Sequence, residues 1–143
     1  NTIFNRMRIA IGREAPDFSW IENNKELRLS KLKNGLNYLL IFYSTECSHC
    51  LREVPEVYEF MEGKEKTKVI AFAMETSDKT WLNYHKKMPR WHHVLGLEKW
   101  RNSIARDYQI NSTPSYFVLG MDKKFIAMPQ RLEDLKTVLD QLN

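Results

Sequence analysis

The sequence predicts an α/β fold, with helices packed against a mixed β-sheet. Three observations carry that reading. The runs "NYLLIFYS" at 37–44 and "VIAFAM" at 69–74 are too apolar to alternate, so they read as strands buried on both faces. Strand and helix signals alternate through the middle of the chain. The last part holds a hairpin followed by an amphipathic helix.

The elements follow in order. "GREAPDFSW" (12–20) is an irregular lead-in, because Pro16 biases Ala15 away from helix. "FSWIE" and "KELRLS" read as two short strands about a turn at Asn23–Asn24, residues that tolerate left-handed geometry. After the first buried strand, Leu51, Val54, Val57, Tyr58 and Met61 give residues 48–62 one apolar helical face, with a kink expected at Pro55. The second buried strand comes next. Ser77 with Asp78 then offers a cap for a helix running through Tyr84 to Lys87. "EKWRNSIARDY" (98–108) reads as a helix with Trp100, Ile104 and Tyr108 on one stripe. "SYFVLG" (115–120) and "KFIAM" (124–128) flank a hairpin turn, and leucine or valine at 132, 135, 138, 139 and 142 marks the closing helix.

With 143 residues, no repeat and no Ser/Gly/Pro-rich linker, residues 1–143 are expected to form one domain. Hydrophobic residues make up 43% and charged residues 28%, the balance of a globular protein rather than a disordered one. The net charge of +4 is spread evenly, as in "EGKEKTK", which argues against a nucleic-acid partner. No apolar run reaches the ~18 residues of a membrane span. The first residues lack a signal-peptide core and Asn1 reads as a boundary, with any address upstream removed.

The only two cysteines lie in "STECSHC" (44–50), spaced C-x-x-C. So short a loop makes a poor structural staple. The pair falls where a buried strand gives way to a helix, which puts Cys47 beside unpaired backbone N–H groups and the positive end of the helix dipole. Thiols in that position commonly have lowered pKa values, and the thiolate is what attacks a disulfide. Cys47 is therefore the candidate nucleophile and Cys50, one turn further in, the resolving thiol. His49 either donates toward Cys47, which favours the thiolate, or is a solvated residue at the helix start. A metal site is the rival reading, but His49, His85, His92 and His93 lack the spacing that completes a zinc set. Haem attachment needs a histidine after Cys50, where Leu51 stands.

"FYSTECSHCLREVP" resembles the segment F-[WY]-x-[ST]-W-C-x-x-C-x-x-E-x-P of the TlpA/ResA-like thiol–disulfide oxidoreductases. The resemblance extends over nearly the whole chain. "GREAPDFSW" is similar to the family's G-x-x-A-P-D-F, "LRLSKLKNGLNYLLIFY" to L-x-L-S-x-L-K-G-K-x-V-L-x-F-[WY], and "YQINSTPSYFVLGMDKKFI" to Y-x-V-x-x-x-P-T-x-F-[LV]-I-D-x-x-G-x-I. It implies a thioredoxin fold: a central mixed sheet with helices on both faces, an N-terminal β-hairpin and an inserted helix–strand segment at 80–100. Trp81, Trp91 and Trp100 in that region suit packing over the sheet or the edge of a substrate groove.

The same resemblance implies roles. Pro114, after Thr113, would be a cis-proline facing the cysteines and exposing backbone to an extended client. Glu53 would accept a proton from Cys50, unless it is a solvated residue paired with a lysine or Arg52. Glu46 replaces the family's tryptophan beside Cys47, where its charge would oppose the thiolate and repel acidic clients. Ile41 stands where thioredoxin itself carries a buried aspartate, and Lys124 replaces a hairpin glycine. The implied activity is disulfide exchange, in the reducing direction, with client proteins bearing cysteines or disulfides and with an upstream redox partner. No bound cofactor or metal is expected, since the electrons reside in the cysteine pair. A monomer in the bacterial periplasm or cell envelope is expected, with membrane attachment only through an anchor outside this chain. A copper- or zinc-binding module without turnover, or a thiol peroxidase, is the alternative.

Overall fold

A computed structural model describes residues 8–143. Strands β1 (Ser19–Glu22) and β2 (Lys25–Arg28) form the N-terminal hairpin. Asn23 and Asn24 turn it with φ of 52° and 63°, the left-handed geometry that a two-residue hairpin loop requires. The main sheet holds β3 (Asn37–Tyr43), β4 (Thr67–Met74), β5 (His92–Gly96), β6 (Ser115–Gly120) and β7 (Phe125–Ala127) in the spatial order β5-β4-β3-β6-β7. The β3–β4 and β4–β5 pairs are parallel, whereas β3–β6 and β6–β7 are antiparallel. Helices α1 (Ser48–Phe60), α2 (Lys79–Tyr84), α3 (Ser103–Asp107) and α4 (Leu132–Leu142) complete the fold.

The apolar runs of β3 and β4 serve two cores, one on each face of the sheet. Tyr38, Leu40, Phe42, Ile70 and Phe72 point toward Phe18, Trp20 and Tyr108, beneath the hairpin and α3. Leu39, Ile41, Tyr43, Val69 and Ala71 point the other way, against Cys50, Val54 and Val57 of α1 and Leu135 and Leu139 of α4. Each large side chain so buried is worth ~1.5–3 kcal/mol over its exposed state. Gly96 is required by this packing: a Cβ there would lie 2.3 Å from the Phe72 ring.

Three local expectations are corrected. Residues 98–108 do not form one helix. Glu98 and Lys99 take positive φ, a short 3₁₀ turn follows at Lys99–Arg101, and Asn102 then caps α3 by accepting from the N–H groups of Ile104 and Ala105. Trp100 consequently leaves the stripe and is 45% exposed, while Trp91 is buried. Leu51 is also exposed, because the inward face of α1 begins with Cys50 rather than its neighbour. Neither Ser77 nor Asp78 caps α2 with its side chain: Asp78 holds the N-cap position without such a bond, and the helix passes into a 3₁₀ turn at His85–Lys87.

Candidate functional site

The buried central strand β3 delivers the chain to Ser44 and Thr45 just past its C-terminal end, and α1 starts shortly after. Cys47 is its N-cap residue, with extended backbone (φ −105°, ψ 111°), and its sulfur accepts the backbone N–H of Cys50 at 3.2 Å. A thiol thus takes the place that serine or aspartate takes at other helix starts. The same Sγ lies 3.6 Å from the carbonyl of Thr113, and the Thr113–Pro114 peptide bond is cis. Cys47 is half-buried; Cys50 is fully enclosed within the α1 core.

The two thiols are set apart electrostatically. Partial burial works against a Cys47 anion, but hydrogen bonds from Cys50, Thr113 and the backbone N–H groups of Cys50 and His49 outweigh it, and its pKa falls below the ordinary value. Burial pushes the Cys50 thiol up to about 12, reinforced by its hydrogen bond to Cys47. One sulfur is ready to act as a nucleophile. The other holds its proton until that proton is removed.

His49 does not turn to Cys47. Its Nε2 lies 2.7 Å from Glu53 Oε2 one helical turn on, and only its backbone N–H serves the sulfur. Glu53 in turn is no solvated helix residue. Its side chain is 14% exposed, and its second oxygen accepts the Tyr116 hydroxyl at 2.7 Å.

Glu46 does not crowd the thiol either. Its Oε1 accepts both the N–H and the hydroxyl of Thr76, at 3.1 and 2.9 Å, and Oε2 lies 3.5 Å from Lys99 Nζ. The Thr76 bonds and Lys99 hold this carboxylate below its ordinary pKa, although it is exposed. The mirror contact sits alongside. Thr45 donates its N–H and hydroxyl to the two oxygens of Glu75, at 2.6 and 2.7 Å, and Glu75 is 1% exposed. Thr45–Glu46 and Glu75–Thr76 therefore stitch the cysteine loop to the end of β4 in both directions.

Sequence reasoning assigned no role to Glu75, Thr76, Lys99 or Tyr116. Glu75 carried one signal: a lone carboxylate directly after the apolar run of β4 must stay inside with a partner. Tyr116 carried another, because alternation along β6 puts it on the same face as Val118, facing α1.

The remaining histidines have structural partners: His92 with Glu22, His93 with the Met88 carbonyl, and His85 stacked on Trp81. Among the described residues, no three His, Cys, Asp or Glu side chains gather to hold a metal ion, and no helix is long and apolar enough to cross a membrane.

Comparison with known proteins agrees with this geometry. Residues 35–125 match the Thioredoxin-like family. Thiol-disulfide oxidoreductase ResA of Geobacillus thermodenitrificans is 26% identical over 99% of this chain and 83% of its own length. A domain of a possible thiol-disulfide isomerase from Cytophaga hutchinsonii superposes with a TM-score of 0.76 at 26% identity, covering 92% of each chain. The thioredoxin domain of a thiol-disulfide oxidoreductase from Bacteroides vulgatus gives a TM-score of 0.78 at 21% identity, over 94% of this chain and 99% of that one. With the family matched from residue 35 to residue 125 and the sheet order and helix layers in place, the chain belongs to the Thioredoxin-like family, and the relatives it resembles include a ResA-type thiol–disulfide oxidoreductase.

Proposed function

We propose that the chain reduces disulfides in client proteins through Cys47 and Cys50. The Cys47 thiolate attacks one sulfur of a client disulfide, and the client's other sulfur leaves with the electron pair and takes up a proton. Cys50, once deprotonated, attacks Cys47 in the mixed disulfide. The second client thiol departs and the Cys47–Cys50 disulfide remains, to be reduced by an upstream partner. The observation that carries this reading is the division of labour between the sulfurs: one accepts a backbone N–H at the helix start, the other is buried with its thiol raised to about 12.

Thr113 and Pro114 supply the backbone edge that an extended client segment would pair with, at the mouth of an open groove that continues past Ser112, Ser115 and Tyr116 to Arg131. Glu46, next to Cys47 in the chain, is held away from the thiol by Thr76 and Lys99. Glu53 receives the Cys50 proton. The reaction takes place in the bacterial cell envelope or periplasm, a location that the TlpA/ResA resemblance supports.

A Cys50→Ser variant tests the scheme: it should accumulate covalent adducts on Cys47 that a reductant releases. Equilibration with a glutathione series tests the direction, since a potential above about −180 mV would make the protein an oxidant instead. Tight equimolar metal binding by both thiols without turnover, or rapid peroxide consumption by Cys47 alone, would overturn the reading.

A further inference from the structure

The resolving step poses a problem that the sulfurs alone do not solve. Cys50 lies fully buried with its thiol pushed up to about 12, and Ile41, where thioredoxin itself carries an aspartate, is apolar and fully buried. Polarity enters from the strand beside it. Tyr116 of β6 is the cross-strand partner of Ile41, and its hydroxyl donates to Glu53 Oε1. The other oxygen of Glu53 lies 2.7 Å from the His49 ring, whose side chain is 59% exposed against 14% for Glu53. The three residues thus run from the sheet core to solvent along the flank of α1 that carries Cys50.

We propose that His49 and Tyr116 complete a proton path around Glu53 for the resolving step: with Glu53 as the acceptor of the Cys50 proton, His49 hands that proton to water, and Tyr116 is the positioning residue that aims the carboxylate. This rests on the thiol-exchange reading above. In the mixed disulfide, Cys50 transfers its proton to Glu53 and its sulfur bonds to Cys47, while the Cys47–client bond breaks and the client leaves as a thiolate. The neutral His49 ring donates Nε2–H to the ionised Glu53; once Glu53 is protonated, the exposed ring turns to take that proton on its other nitrogen and gives it to water, and the client thiolate is protonated from water. Atoms and charge balance with no further reagent.

Few other titrating groups face this path. On α1 itself there is Glu56, which is paired with Lys136 of α4. Cys47 lies beside Cys50; Tyr43 of β3 and Tyr84 of α2 approach Cys50 from the sheet and the neighbouring helix. Burial raises the phenols of Tyr43, Tyr84 and Tyr116, so they stay protonated near neutral pH.

The test is stopped-flow reaction of the reduced protein with 5,5′-dithiobis(2-nitrobenzoate). Attack by Cys47 releases the first chromophore, and resolution by Cys50 releases the second. His49→Gln, which can still hydrogen-bond Glu53 without relaying a proton, and Tyr116→Phe should each slow the second phase about tenfold, less than the ~10²–10⁴-fold that loss of the acid–base group itself would cost, because Glu53 remains. Both should flatten its pH profile while leaving the pH midpoint of the first phase in place. The proposal is overturned if the second phase is unchanged in both variants, if the two phases slow together, or if only the first phase moves; the last result would mean that His49 acts on the Cys47 thiolate. Absence of a second phase in the unaltered protein would instead sink the thiol-exchange reading itself.

Discussion

Replacing Glu75 with alanine is expected to destabilise the protein by about 3 kcal/mol, and to do so through the cysteine loop. Glu75 is almost wholly buried and each of its oxygens accepts a short bond from Thr45. Hydrogen bonds to a charged group contribute ~1.5–3 kcal/mol each, and a buried N–H left without a partner costs ~1–3 kcal/mol. Removing a buried carboxylate recovers part of that through relieved desolvation, which leaves the net near 3 kcal/mol. Glu75→Gln should cost only ~1 kcal/mol, because the amide oxygen still accepts the Thr45 N–H and the amide nitrogen can donate to the Thr45 hydroxyl. Urea unfolding of the reduced protein measures both. The pH dependence of Cys47 alkylation measures the loop: in Glu75→Ala its midpoint should climb toward the ordinary cysteine value, since the thiol loses its hold on the helix start. An alanine variant within ~0.5 kcal/mol of the parent, or a glutamine variant equally damaged, would refute the reasoning.

Three further outcomes follow from the geometry. Alkylation of the reduced protein at neutral pH, read by peptide mapping, should label Cys47 and spare Cys50; equal labelling would show that burial does not separate them. The stability gap between the disulfide and dithiol forms should widen as pH rises from about 8.5 toward 12. Cys50 has a folded pKa above its unfolded one, so its contribution is complete below the unfolded value and is lost between that value and about 12, up to ~5 kcal/mol, whereas Cys47, with a lowered folded pKa, has made its full contribution before this window opens; a flat gap would contradict the assignment. Gly96→Ala should lower stability by ~1–3 kcal/mol in thermal unfolding, because its Cβ would meet the Phe72 ring at 2.3 and 2.5 Å; unchanged stability would mean the core yields there.

Most of the fold was legible in the sequence because its strongest signals are local. The apolar runs of β3 and β4 have no polar face to lose, and the Asn23–Asn24 pair announces its turn. The break at Asn102 was harder to read: Trp100, Ile104 and Tyr108 keep a helical period across it, and the two left-handed residues that open the turn are Glu98 and Lys99, neither of them a glycine. In the site, the cysteines and Thr113–Pro114 were found from their motifs. The orientation of His49 was not, because the spacing of His49 to Glu53 on one helix competes with its nearness to Cys47, and only packing decides between them. Local pattern buries Glu75 and turns Tyr116 toward α1, but the partners that they and Thr76 meet lie at distant sequence positions, which no local pattern encodes.

Where the resembled family places an aromatic ring before the first cysteine, this chain has one half of a two-way clasp between its cysteine-bearing turn and the segment leaving β4. The practical result is that the turn is not a free-standing module. Exchanging residues 45–50 for those of another oxidoreductase would strand Glu75 and Thr76 without their counterparts, so a working chimera must carry both strips together. Anything that grips the residues just after Met74 would also be pulling on the backbone that positions the Cys47 sulfur.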